Sequence, residues 1–379
     1  MELMYVIDSI IHKYVKDNNL WEKLDSNRKQ LLFTKKCVKN VLDVCNKCQC
    51  SKNMLSEKCI IQRIDLIKSF RKQLIRLQMI PLVEQRTDEW YDLRSKMITA
   101  SDFGDALAID KFGKKTDPKK IYEKKCGYEP PQEYDNASVF LKWGVMFEQV
   151  ATTLYETRTG INVHEFGLVQ NMEHTFLGAS PDGISDLGIM LEIKCPYKRV
   201  ITEDSILKQY YYQIQGQLDA CNLEECDFLE VRFDKYENIE DFMEDYENEF
   251  HCFTSNYKEK GIIIEIADSK YVYSPFNENS TEINRWYIEN VKTSSVVNIT
   301  FWYLHSYSIK RVHKDKSFVN NMNIQLEDVW NNVVKYRNDK DLYIKEIQTQ
   351  TKSRYKKTVQ DTSINKKCVG SMFIIDPNE

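Results

Sequence analysis

Three ionisable side chains interrupt an otherwise apolar and turn-forming stretch of the chain. In LGASPDGISDLGIMLEIKCPY, residues 177–197, Asp182 follows Ser-Pro and precedes Gly, and ten residues later Glu192 and Lys194 stand inside a strand-like run. Two carboxylates and an ammonium brought to one place suit phosphodiester hydrolysis. Hard oxygen ligands on a rigid sheet can hold Mg²⁺, which keeps several waters and bridges to substrate phosphate. The metal stabilises charge on the phosphoryl oxygens and acidifies an attacking water. A lysine orients that water or offsets the developing charge, as a compact point charge that an arginine does not offer.

Spacing alone is weak support. The same acid-x-Lys pattern recurs at Asp117-Pro-Lys119, Glu123-Lys-Lys125 and Asp268-Ser-Lys270. Glu192-Ile-Lys194 differs in having an apolar strand and an upstream aspartate, although an exposed edge strand with a Glu/Lys pair explains it as well. Residues 176–180 and 189–193 are apolar runs of strand length separated by PDGISDLG, which predicts a hairpin or two neighbouring strands. Alternation then sets Glu192 and Lys194 on one face and Leu191 and Ile193 on the other.

The flanking elements must position these groups. WGVMFEQVATTLYETRTG, residues 143–160, reads as a helix ending at Gly160, with Glu148 near its start. A carboxylate there can simply answer the helix dipole. Residues 207–220 read as a second helix with Gln209, Gln213 and Gln217 at i, i+4 spacing. Such a stripe is either solvated or available to phosphate and water. In residues 87–107, Trp90, Leu93 and Met97 form an apolar stripe from which Arg94 is displaced. Ser101 is the expected N-cap of the next helix, and Gly104 leaves no capping box. Free N–H groups, a hydroxyl and an arginine together make a phosphate pocket.

With these blocks in view, the chain resembles the phage lambda-type exonucleases, or YqaJ-like viral recombinases, of the PD-(D/E)xK nuclease superfamily. The resemblance rests on EWYDLRSKMITASDFG, WGVMFE, GASPDG, LEIKCP and YYYQIQGQLDA, which cover roughly residues 85–235 in the family's order. It implies an α/β (α+β) fold with a restriction-endonuclease-like core, a central mixed β-sheet flanked by helices. It implies metal ligation by Asp182, Glu192, the Ile193 backbone carbonyl and Glu148, with Lys194 and Gln213 completing the catalytic set. Arg94 and Ser101 would take a terminal 5′-phosphate. The implied activity is Mg²⁺-dependent (Mn²⁺ substituting) 5′→3′ digestion of one strand of linear duplex DNA, leaving a 3′ strand for a single-strand annealing protein. An endonuclease on the same core and a catalytically inactive DNA-binding module are the alternatives. Some members form ring-shaped trimers, so a homo-oligomer is a candidate state, but the additions at both ends of this chain stand against a closed ring.

The bulk properties agree with a local rather than a global polyanion site. Across 379 residues the formal net charge is −4, so any basic surface for DNA must be confined to a cleft. No apolar stretch reaches membrane-spanning length, and MELMYVIDSI lacks the basic start of a secretory signal. The expectation is a protein inside the host cell, in cytoplasm, viral replication site or nucleus, and not secreted. The eleven cysteines then read as thiols or metal ligands. Cys45, Cys48, Cys50 and Cys59 offer a C-x2-C start to a zinc site, with free thiols between helices as the plainer account. The expected organisation is a helical extension over 1–80, a nuclease domain over 81–345 and a flexible basic tail over 346–379. Arg63, Lys68, Arg71, Lys72 and Arg76 line one helix of the extension, as added duplex contacts or as a solvated face.

Overall fold

The computed structural model describes residues 3–17, 34–43, 56–81, 83–109, 118–129, 137–202, 205–246, 253–267, 270–276, 278–293 and 295–348. Cys45, Cys48, Cys50, much of the lysine-rich segment 110–135 and nearly all of the tail lie outside the described residues. The first helices are α1 (Leu3–Asp17), α2 (34–43), α3 (Glu57–Gln78) and α4 (Asp88–Ser95). Strand β1 (Ile98–Thr99) leads through a 3-10 turn, Ala100–Asp102, into α5 (Phe103–Ala106), followed by α6 (Lys119–Cys126) and α7 (Ala137–Thr159). Then come β2 (Val163–His164), β3 (Val169–Gln170), β4 (Leu177–Ala179), β5 (Gly183–Ser185), β6 (Met190–Lys194) and α8 (Lys208–Ala220). The remainder holds β7 (Glu225–Lys235), α9 (Ile239–Glu244), β8 (Lys260–Ile266), β9 (Lys270–Tyr273), α10 (Ser280–Thr293), β10 (Val296–His313) and α11 (Lys316–Asn338).

The architecture is the expected α/β one, a mixed sheet flanked by helices. Seven strands run in the order β2-β5-β6-β7-β10-β8-β9, and a small separate sheet has the order β1-β4-β3. Among the described residues, only β6 and β7 pair in parallel within the large sheet. Strand alternation decides what each face buries. Leu191, Ile193, Leu229, Val231 and Phe233 pack against Phe147, Leu154 and Tyr155 of α7. Met190, Cys226 and Phe228 face the other way, toward Ile214 and Leu218 of α8 and Leu326 of α11. Phe147 is 0 % exposed and stacks on Phe233 with centroids 4.4 Å apart. Truncating a buried phenylalanine of this kind costs about 3–5 kcal/mol.

The hairpin forms, with strands other than those the apolar runs suggest. Residues 177–179 leave for the small sheet, where β4 pairs with β1 and β3. Their place beside β6 is taken by β5, with Gly183 opposite Leu191. The break falls at Ser180-Pro181, because proline cannot donate a ladder hydrogen bond.

The N-terminal helices lie directly on this frame. Helix α3 opens at the N-cap Ser56 and buries Ile60, Ile64, Ile67, Phe70, Leu74 and Leu77 along one stripe. Four of these share a cluster with Ile7 and Ile11 of α1 and with Leu187 and Ile189 of the β5–β6 turn. Gly188 in that turn has φ +76°, and a Cβ there would lie 2.5 Å from the Phe70 backbone. Arg63 is buried, unlike a DNA-contacting side chain. It donates to Asp8 at 2.7 Å and to Glu225 at 2.6 Å. Arg311 joins the same network through Glu225 and Asp227, and the Tyr155 hydroxyl donates to Asp227 at 2.8 Å. Lys72 and Arg76 are exposed.

Candidate active site

Each of the three central charges is placed by the hairpin. Extending the β5–β6 register by one step from Gly183 opposite Leu191 sets Asp182 opposite Glu192, and opposed residues of an antiparallel pair share a face. Asp182 Oδ2 accepts the Ile193 N–H at 2.6 Å. Glu192 is only 1 % exposed. Its Oε1 accepts from Lys194 and, at 2.6 Å, from Gln213 Nε2; its Oε2 accepts from Gln217 Nε2 at 2.7 Å. The glutamine stripe of α8 is therefore not solvated at these two positions: it faces the buried carboxylate.

Glu148 joins the group from α7. The helix begins at Ala137, so Glu148 lies three turns in, and the dipole of the helix start does not account for it. Arg86 Nη2 donates to Glu148 at 3.2 Å. Arg86, with φ 69°, carries no sequence signal that would have marked it. A groove of about 620 Å³ runs past Glu148, Asp182, Lys194, Arg199, Tyr210 and Gln213.

The electrostatics show a surplus of negative charge. Burial, then the neighbouring Glu192 and Glu148 carboxylates, push the Asp182 carboxyl well above the usual range. Burial also raises Glu148; Arg86 opposes that shift and Glu192 adds to it. Burial alone would lower the Lys194 ammonium, but Glu192 and Asp182 outweigh it and hold the pKa above the ordinary lysine value. Crowded carboxylates of this kind are relieved by a cation, and oxygen-only donors fit a hard divalent ion. Among the described residues, no three His, Cys, Asp or Glu side chains are placed so that together they could hold a metal ion as they stand. The hydrogen bonds on Glu192 occupy both of its oxygens.

Arg94 and Ser101 meet. Arg94 Nη2 donates to Ser101 Oγ at 2.8 Å, and its guanidinium lies 4.3 Å from the Trp90 ring centre. Burial lowers the Arg94 pKa against the opposing pull of Asp102. Trp90 Nε1 in turn donates to Ser180 Oγ at 3.2 Å, two residues before Asp182. The cap differs from expectation. Thr99, not Ser101, is the N-cap of the 3-10 turn, and Asp102, which precedes α5, closes a capping box by accepting the Thr99 N–H at 3.3 Å; it also accepts the Thr99 hydroxyl at 2.8 Å. Ser101 is thereby left exposed beside Arg94. Lys125, buried against Asp102 at 2.7 Å, also donates to the Arg94 carbonyl at 2.9 Å. Cys59, of the cysteine group, is exposed near the start of α3.

Fold and site together define a mixed α/β protein with a carboxylate–lysine cluster at a β-hairpin. Residues 89–224 match the model of the YqaJ-like viral recombinase domain. The chain is 27% identical over 322 residues to the uncharacterized protein R354 of Acanthamoeba polyphaga mimivirus, covering 74% of this chain and 56% of that one. The chain thus spans a little over half the length of this relative. Among solved structures it is similar to an alkaline exonuclease from Laribacter hongkongensis (18% identity, 70% of this chain and 100% of that one, TM-score 0.41). It is also similar to a phage related exonuclease from Haemophilus somnus 129PT (12% identity, 65% of this chain and 96% of that one, TM-score 0.35).

Proposed function

We propose that the chain is a divalent-metal-dependent deoxyribonuclease that digests one strand of linear duplex DNA from a 5′-phosphorylated end, in viral-type recombination, repair or replication. The observation that carries this reading is the meeting of Asp182, Glu192 and Lys194 on one hairpin face, with Glu148 beside them and an open groove alongside. Asp182, Glu192, Glu148 and the Ile193 carbonyl would hold the cation. When bound, it supplies charge stabilisation on the phosphoryl oxygens and a more acidic water.

The rest follows from the chain's own groups. Lys194, kept charged by Glu192 and Asp182, offsets negative charge that develops on the phosphate. Gln213, on the groove side of Glu192, can exchange that contact for water or a phosphate oxygen. Arg94 and Ser101 offer a charge-assisted site for a terminal phosphate, which has a purpose only at a DNA end. That feature favours an exonuclease over an endonuclease.

The test is a linear duplex labelled at the 5′ or the 3′ end, incubated with Mg²⁺ beside a covalently closed circle. The 5′ label should be released first and the circle left intact. Nicking of the circle points to the endonuclease. No cleavage of any DNA with Mg²⁺ or Mn²⁺ leaves a binding module and sinks the proposal.

A further inference from the structure

Glu192 is gripped from two sides that differ in their access to solvent. Its Oε1 accepts from Lys194 and Gln213, both of which line the groove. Its Oε2 accepts from Gln217, one helical turn further along α8 and only 1 % exposed. Gln217 does not line the groove. Its amide oxygen is buried without a hydrogen-bond partner among the described residues. An empty buried acceptor is unfavourable, so the donor half of the amide, and the carboxylate it serves, set its orientation.

The helix is held against rotation. On the opposite side of α8, Gln215 donates to the His313 carbonyl at 2.9 Å and accepts the Asp315 N–H at 2.8 Å. Gly216 lets the helix lie on Phe103, since a Cβ there would sit 2.2 Å from the ring. Gln217 therefore meets Glu192 along a fixed direction.

We infer that Gln217 is a positioning residue for metal capture: it clamps the rear oxygen of Glu192 so that the groove-side oxygen keeps its aim when Lys194 and Gln213 yield to a cation. The inference rests on the divalent-metal reading above. Gln213 competes for the oxygen an ion would use, whereas Gln217 holds the other one. Partners that orient a metal ligand in this way are typically worth about 10–100-fold in metal affinity.

The experiment is calorimetric titration of the full chain with Mn²⁺ in the absence of DNA, comparing wild type with Gln217→Met, alongside thermal melting and the Mg²⁺ dependence of cleavage. The expected result is a Mn²⁺ Kd about 10–100-fold weaker, a melting curve that is lowered but still a single cooperative transition, and cleavage that recovers toward wild type at saturating Mg²⁺. A folded Gln217→Met that binds Mn²⁺ as wild type does overturns the inference and leaves the metal reading standing. Wild type that binds no Mn²⁺ overturns both. Should Gln217→Met fail to fold, Gln217→Asn is read by the same titration, its shorter amide falling short of Glu192.

Discussion

At the scale of single residues, the proposed chemistry turns on a carboxylate that is buried yet hydrogen-bonded at both oxygens. Glu192 accepts from Lys194, Gln213 and Gln217, so Glu192→Gln removes the charge while conserving shape. It should lower kcat by about 10²–10³-fold, the usual loss when one preorganised electrostatic contact is removed. DNA binding, read by a gel-shift titration, should persist. Binding that falls in step with cleavage would mean the residue acts on folding instead. Arg94→Ala addresses the proposed end pocket, where Arg94 meets Ser101 at 2.8 Å. Wild type should digest a 5′-phosphorylated duplex faster than a 5′-hydroxyl one, and Arg94→Ala should erase that difference by raising KM on the phosphorylated end alone. Equal rates on both ends for wild type would remove the pocket from the mechanism.

At the scale of elements, the legible part of the sequence was the part governed by local periodicity. Alternation along β6 correctly separated Glu192 and Lys194 from Leu191 and Ile193, because a strand has period two. The i, i+4 spacing of Gln213 and Gln217 showed a shared face of α8, though not what that face meets. The start of α7 was illegible for a physical reason: Phe140 and Leu141 on its early turns are 62% and 71% exposed, so no buried stripe announces them. The hairpin was legible in kind but not in its strands, since the pairing of residues 177–179 with β1 is a long-range choice. The β5–β6 turn itself yields a prediction. Gly188→Ala puts a Cβ against the Phe70 backbone at a positive φ, where backbone cannot give way as a flexible side chain would. The variant should lose about 1–3 kcal/mol in urea unfolding, as strain and overpacking do. Activity should fall as the hairpin shifts. An unchanged urea midpoint would show that α3 can move aside without cost.

At the scale of the whole molecule, the N-terminal helices are joined to the large sheet and to the β5–β6 hairpin by charges far apart in sequence. Arg63 reaches Asp8 and Glu225, and His12 on α1 reaches Asp186 at 2.8 Å, in the turn that ends β5. His164 on β2 takes the other oxygen of the same carboxylate at 2.8 Å. None of these pairings leaves a trace in local spacing. Burial acts to raise the Asp186 pKa, but the hydrogen bonds from His12 and His164 prevail and hold it well below the usual carboxylate value. The sign of the consequence is then fixed. A group whose folded pKa is depressed contributes stability above its unfolded pKa, about 3.9 for aspartate, and that stability is lost as pH falls toward the folded value. Asp186→Asn should therefore be less stable than wild type at pH 7, with the gap in urea midpoint narrowing below about pH 4 as the unfolded wild-type carboxyl takes up a proton that the folded one still refuses. A gap that stays constant down to pH 3 would assign the loss to packing of the turn and not to the charge. If the gap closes, the link between α1 and the hairpin carrying Asp182 and Glu192 is electrostatic. Acid below the usual carboxylate range should then loosen the N-terminal helices from the candidate active site, and proteolysis near α1 as pH falls is the measurement that shows it.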